Sequence, residues 1–312
     1  MLDLTRLRVL VAVAREGSVT AAAEALHYAQ PSVSHHLARL EAEVGVPLLQ
    51  RAGRGVRLTE AGRLLVERAE EILGRVEAAR TEIAQHAGLR AGRVRLAAFP
   101  SALATLAPRA IARMAVTHPG VEVALTEAEP PAALLALQRG EIDVALAFEH
   151  GDAPPPTRGI VTAPLLDEPL YAVTPRDRDW PGRRSELSTY RDERWIAGCE
   201  RCRAHLVAAC ARAGFAPSIE FEMDDYVAVQ ALVATGLGVS TLPGLALVAA
   251  RDPDVRIDRI PGDGRRILAA TFGRPAPLPA QAFLDALRET TRAPRWPRSD
   301  ETVPRSSAEA GG

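Results

Sequence analysis

The chain has no lysine and no asparagine among its 312 residues. Every basic residue besides histidine is therefore arginine. Any phosphate contact must come from Arg, His, hydroxyls, Gln or backbone N–H groups. The formal net charge is -1. A basic balance over the whole chain, the usual footprint of a nucleic-acid binder, is absent. Any DNA-binding surface must be local. Three cysteines in a chain this long exclude a disulfide framework. No run of about 18 apolar residues occurs, so no membrane span is expected. The opening MLDLTRLRVL lacks the regions of a secretory signal. A cytoplasmic chain with no membrane partner is the expectation. Hydrophobic residues at 47% and charged residues at 25% fit a soluble globular protein. The length suits two or three domains.

Residues 4–15 place Leu4, Leu7, Leu10, Val11 and Ala14 on one helical face. Gly17 ends that helix, and Ser18 can cap an Ala-rich helix over 18–26. His27–Ala29 is a tight connection. Pro31 suits the first turn of a third helix, with Val33, Leu37, Leu40 and Val44 inward and Gly45 as its stop. Three short helices with a tight turn between the second and third make a helix-turn-helix. Residues 46–58 predict a small hairpin, or wing, carrying Arg51, Arg54 and Arg57. A long helix follows from Thr59 to about Gln85. Its Leu65, Ala69, Ile72, Val76, Ala79 and Ile83 form a 3.5-residue seam, which implies a partner helix. Residues 88–92 read as a hinge.

From Arg93 the period changes. Strands are predicted at 93–99, 121–127, 142–148, 169–174, 194–197, 218–222, 238–242, 255–260 and 266–272. Helices are predicted near 101–117, 130–139, 200–213, 224–235 and 279–292. This alternation is an α/β domain with a parallel or mixed sheet. The Pro-rich segment 153–156 reads as a loop, and 293–312 as a disordered tail.

A recognition helix reads base edges with its N-terminal residues. Here those are Gln30, Pro31, Ser32, Ser34, His35 and His36. Gln can bond an adenine bidentately, and Ser and His can serve bases or phosphates. Arg39 lies a turn further on, toward the backbone. The wing arginines suit flanking phosphates.

The order and spacing of Leu7, Leu10, Gly17-Ser18-Val19, Ala22-Ala23, Leu26, Gln30-Pro31-Ser32-Val33-Ser34, Leu37, Leu40-Glu41, Gly45, Leu48, Arg51, Arg54, Val56, Leu58-Thr59 and Ala61-Gly62 resemble the N-terminal signature of LysR-type regulators. That resemblance implies a winged helix-turn-helix over 1–58 and a dimerising linker helix and hinge over 59–92. It implies an effector-binding domain of the periplasmic-binding-protein type over 93–292, with subdomain I at 93–163 and 269–292 and subdomain II at 164–268. Its implied partners are double-stranded promoter DNA, a small effector and further copies of the chain. These copies make a homodimer, then a homotetramer, and RNA polymerase is a possible contact. Three positions depart from the family pattern. Ala29 stands where Ser or Thr is usual, so the third helix loses a capping side chain. His35 stands where Arg is frequent, exchanging a permanent cation for a titratable one. Leu49 holds a common Phe position.

The effector, expected to be anionic, would sit in a cleft at strand ends and helix N-termini. The matching positions are Phe99-Pro100-Ser101, Cys199 with Arg201 and Cys202, and Asp224. Ser101 is either a plain cap or an anion donor, and Arg201 is the candidate anion anchor. Asp224 and Asp225 open a helix and suit capping, unless the effector is cationic. The set Cys199, Cys202, His205 and Cys210 allows an oxidant or soft-metal sensor as an alternative. Cys202 and Cys210 lie about 12 Å apart along one helix, too far for a disulfide. A Cys199–Cys202 pair needs a frayed helix end, and Cys210 reads as core.

No dinucleotide fingerprint, phosphate loop, nucleophile elbow or His-Glu-x-x-His is present, so no catalysis and no cofactor are expected. A small-solute binding protein is the rival of another class. The first ninety residues argue against it.

Overall fold

The computed structural model describes residues 2–52, 55–86, 92–151, 159–273, 276–291 and 295–299. Three helices, α1 (Leu4–Glu16), α2 (Val19–Ala25) and α3 (Gln30–Val44), come first. Asp3 caps α1 and Ser18 caps α2 through side-chain hydrogen bonds. Ala29 caps α3 with no side-chain bond, as its methyl group requires. Leu7, Leu10, Val33, Leu37 and Leu40 are buried together between the three helices. The wing is β1 (Leu49–Ala52) against β2 (Gly55–Leu58), antiparallel.

The long helix is α4 (Glu60–His86). Thr59 caps it, its hydroxyl accepting the Gly62 N–H at 2.9 Å. Gly62 has to be glycine: a Cβ there would stand 2.1 Å from the Leu48 carbonyl oxygen. This close approach seats α4 on the wing. The seam expected along α4 is split. Ala69 is fully buried and Leu65 packs beside it in the core of the three-helix domain. These two positions are used within one chain, because α1 lies across the first turns of α4. Ile72 and Ala79 are exposed, and Val76 is half-buried. Leu64 is 56% exposed, so the face left open runs through Leu64, Ile72, Val76 and Ala79. The Ile83 side chain lies outside the described residues, as do most of the hinge and the 153–156 loop.

The second half holds β3 (Gly92–Ala98), α5 (Pro100–Thr117), β4 (Val121–Glu127), α6 (Pro130–Gln138), β5 (Val144–Glu149) and β6 (Ile160–Pro175). After β6 come β7 (Arg194–Ala197), α7 (Glu200–Arg212), β8 (Ser218–Glu222), α8 (Tyr226–Ala234) and β9 (Val239–Pro243). A short helix α9 (Gly244–Ala249), β10 (Val255–Phe272) and α10 (Leu278–Thr291) complete it. The strands form one mixed sheet in the order β4-β3-β5-β10-β6-β9-β7-β8. β6 and β10 pair antiparallel over most of their length and cross between the two halves. They are longer than sequence patterning predicts. β6 begins nine residues before the predicted 169, and β10 joins two predicted strands across Pro261–Gly264. A register shift there absorbs the turn-forming residues.

The expected disordered tail needs correcting at its start. Trp296 packs against the core, its ring beside Gly244 at the start of α9. The Tyr171 hydroxyl donates to the Pro297 carbonyl at 3.0 Å. An indole buries too much apolar area to be left in water beside an open core edge.

Candidate functional site: a helix-turn-helix surface and an inter-subdomain cleft

Burial of Val33, Leu37 and Leu40 turns the other face of α3 outward. Gln30, Pro31, Ser32, Ser34, His35 and Arg39 are all exposed, and His36 is half-buried. The Gln30 side-chain amide donates to Ser34 Oγ at 3.3 Å, which aligns two candidate base readers one turn apart. Ring centroids of His35 and His36 lie 6.3 Å apart, with Tyr28 at 6.2 Å from His36. The Glu41 carboxylate accepts the Leu48 and Leu49 N–H groups at 2.7 and 3.1 Å. It thereby fixes the base of the wing to the recognition helix. Arg57 is exposed on β2. The Arg51 side chain and Arg54 lie outside the described residues.

The second site is a cavity of about 60 Å³ between the subdomains. Six of the seven expected residues line it: Phe99, Pro100, Ser101, Cys199, Cys202 and Asp224. Arg201 does not. Its guanidinium donates to the Phe148 carbonyl at 3.0 Å and sits over the Phe148 ring at 5.5 Å. It ties α7 to β5 instead of anchoring an anion. Asp225 is the capping residue of α8, accepting from the Val227 and Ala228 N–H groups. That leaves Asp224 in the cleft wall.

Sequence reasoning missed Arg265 and Glu129. Arg265 is buried and pairs with Glu168 at 2.6 Å. It donates to Ser101 Oγ at 3.0 Å and lies over the Phe99 and Phe148 rings. The other Glu168 oxygen accepts the Leu245 N–H at 2.5 Å. Ser101 is not the cap, since Phe99 occupies that position; its Oγ accepts from Arg265. Burial weighs against the Arg265 charge, but Glu168 together with the neighbouring Cys202 and Cys199 outweighs it, so the guanidinium pKa is raised. Glu129 is also raised, first by burial and then by Asp224. The expectation of an anionic effector does not fit this lining. Its one guanidinium is already neutralised, and Glu129 and Asp224 add negative charge. No spacing rule joins Arg265 to Ser101, 164 residues away.

Cys199 and Cys202 face each other across the first turn of α7, their sulfurs 3.1 Å apart. Cys210 is fully buried, and burial pushes its thiol up to about 12. His205 does not join the cysteines. Its Nε2 meets Asp263 at 2.8 Å, and its ring stacks on His150 with centroids 4.0 Å apart.

Both halves of the chain match known protein families. Residues 4–63 match the model of bacterial regulatory helix-turn-helix proteins of the lysR family. Residues 87–292 match the LysR substrate binding domain. The chain is 31% identical over 301 residues to a probable HTH-type transcriptional regulator, LrrA, of Synechococcus elongatus, covering 93% of this chain and 97% of that one. It is 29% identical to a hydrogen peroxide-inducible genes activator of Pectobacterium carotovorum, covering 81% and 83%. Among solved structures, a full-length OxyR variant from Pseudomonas aeruginosa superposes with a TM-score of 0.67 at 26% identity, covering 94% and 95%. Full-length CbnR in complex with its target DNA superposes with a TM-score of 0.54 at 27% identity, covering 93% and 100%. The chain belongs to the LysR family of DNA-binding transcription regulators, with an N-terminal helix-turn-helix and a C-terminal effector-binding domain, and it is not an enzyme.

Proposed function

We propose that this regulator reads its operator with the start of α3 and responds to a small effector in the inter-subdomain cleft. The observation that carries the reading is the outward row from Gln30 to His36 on a helix braced by the wing. Gln30 and Ser34 contact base edges in the major groove, with Pro31, Ser32, His35 and His36 around them. Arg39, Arg51, Arg54 and Arg57 hold phosphates. Two copies joined along α4 present two such helices, so the operator is an inverted repeat; a pair of dimers makes a tetramer. CbnR, solved on its target DNA, supports the DNA-binding part of this reading by likeness. RNA polymerase is a further contact of such a complex. The work is done in the cytoplasm, where promoter DNA is.

The effector is small, and neutral or cationic. A cavity of about 60 Å³ is far below the roughly 300–1,000 Å³ of drug-sized sites. Glu129 and Asp224 repel a carboxylate. Its binding shifts the balance between subdomain arrangements and so the spacing of the paired DNA domains. A nuclease footprint with the full chain on its own promoter region tests the DNA half. A protected inverted repeat, lost steeply as salt rises, is expected. Uniform cleavage at all protein concentrations would sink it.

A further inference from the structure

We infer that Cys199 and Cys202 are a redox pair in the cleft wall, a dithiol that a small hydroperoxide converts to a disulfide. The consequence for DNA binding rests on the effector-cleft reading above; the thiol chemistry does not. Cys199 is the cap residue of α7, with extended backbone at φ -53 and ψ 163. A cap side chain in this conformation folds back over the third helical residue, as a capping Ser does over its N–H. That third residue is Cys202. The pair therefore meets at 3.1 Å with α7 intact, and no frayed end is needed. Both thiols are partly exposed and free, and both line the cavity. A space of about 60 Å³ admits only a few heavy atoms.

The two thiols are unequal. Hydrogen bonding with the Cys202 thiol, above all, holds Cys199 below the usual thiol range despite burial. Cys202 is raised by the same hydrogen bond and by burial. Cys199 is thus the thiolate nucleophile, and Cys202 keeps its proton. In the first step Cys199 Sγ attacks one peroxide oxygen. The O–O bond breaks, an alkoxide or hydroxide leaves, and Cys199 becomes a sulfenic acid. The proton that Cys199 gave up on ionising passes to the leaving oxygen. In the second step Cys202 loses its proton and attacks Cys199 Sγ. The S–O bond breaks and water leaves. Two thiols and one hydroperoxide give one disulfide, one alcohol (or water) and one water. Arg201 stands between the two cysteines and ties this turn to Phe148 across the cleft. Closing the bond therefore acts on a subdomain contact.

The test uses the full reduced chain, hydrogen peroxide, alkylation and peptide mass analysis. Trypsin cuts after Arg201, so the disulfide appears as two joined peptides. Wild type should show that joined species, with Cys210 still alkylated after unfolding. Cys202→Ser should stop at a Cys199 sulfenic acid that dimedone captures. Cys199→Ser should leave Cys202 reduced, with oxidation slowed by about tenfold or more. Cys199→Ala, checked by thermal melting, guards against a folding defect in the serine variant. Both cysteines remaining alkylatable after excess peroxide overturns the inference, and so does a bond to Cys210 or to a second chain. None of these readouts involves DNA, so the pair and the regulator reading fail separately.

Discussion

His150 and His205 stack face to face across the subdomain boundary, their ring centroids 4.0 Å apart. Burial, and then the neighbouring His205, holds His150 down at about 3; Arg265 adds to this and Asp263 opposes it. Unfolded, the ring takes up a proton as pH falls through about 6.5. Folded, it resists until much lower pH. Its share of stability is therefore present above about pH 6.5 and is lost progressively as pH falls toward 3. His150→Phe keeps a stacking partner and removes the proton site. Melting temperatures between about pH 7 and 5 should decline less steeply in this variant than in wild type; equal slopes would contradict it. Arg265 and Glu168 form the other buried pair. Arg265→Met leaves a buried carboxylate alone and should cost about 3–5 kcal/mol in urea denaturation. Adding Glu168→Gln should recover part of that loss.

At the scale of elements, the proposed base readers and phosphate holders are separable by mutation. Gln30→Ala or Ser34→Ala should relax base choice at one position per half-site, by about 1–3 kcal/mol. Arg39→Ala with Arg57→Ala should weaken all sequences alike and flatten the salt slope, as fluorescence anisotropy on matched and mismatched duplexes reads directly. The open face of α4 predicts that Leu64→Glu with Ile72→Glu lowers the oligomeric state in sedimentation. Leu65→Glu should instead unfold the N-terminal domain. That difference shows where sequence reading ran out. Apolar spacing finds the α4 stripe, but a stripe does not say whether its own chain or another covers it. The short helices, the Ser18 cap and strands such as β7 and β8 are legible because period and capping are local. The long crossings of β6 and β10 are not. Their polar and turn-forming residues are held by pairing with each other. The cleft was legible where helix starts mark it, at Ser101 and Cys199. Arg265 was not, since its role comes from a tertiary ion pair.

Across the whole molecule, the DNA-binding half touches the sensing half of the same chain. Arg15 of α1 reaches Glu141 at 2.9 Å, and Glu70 of α4 meets Arg139 at 2.9 Å. Between them Gly140, at φ +68, brings its backbone against Gly74 of α4, where a Cβ would lie 3.0 Å from the Gly74 Cα. Gly74→Ala, which has no positive φ to strain, should push this contact apart at a cost of about 1 kcal/mol, visible as a lower melting temperature. The central claim is that the start of α3 reads operator sequence. Selection of duplexes from a random pool by the purified full chain tests it most directly, run beside Gln30→Ala. Wild type should enrich an inverted repeat, and Gln30→Ala should enrich the same repeat with one position per half-site randomised. Enrichment of no repeat, or of an identical repeat by both proteins, would contradict the account.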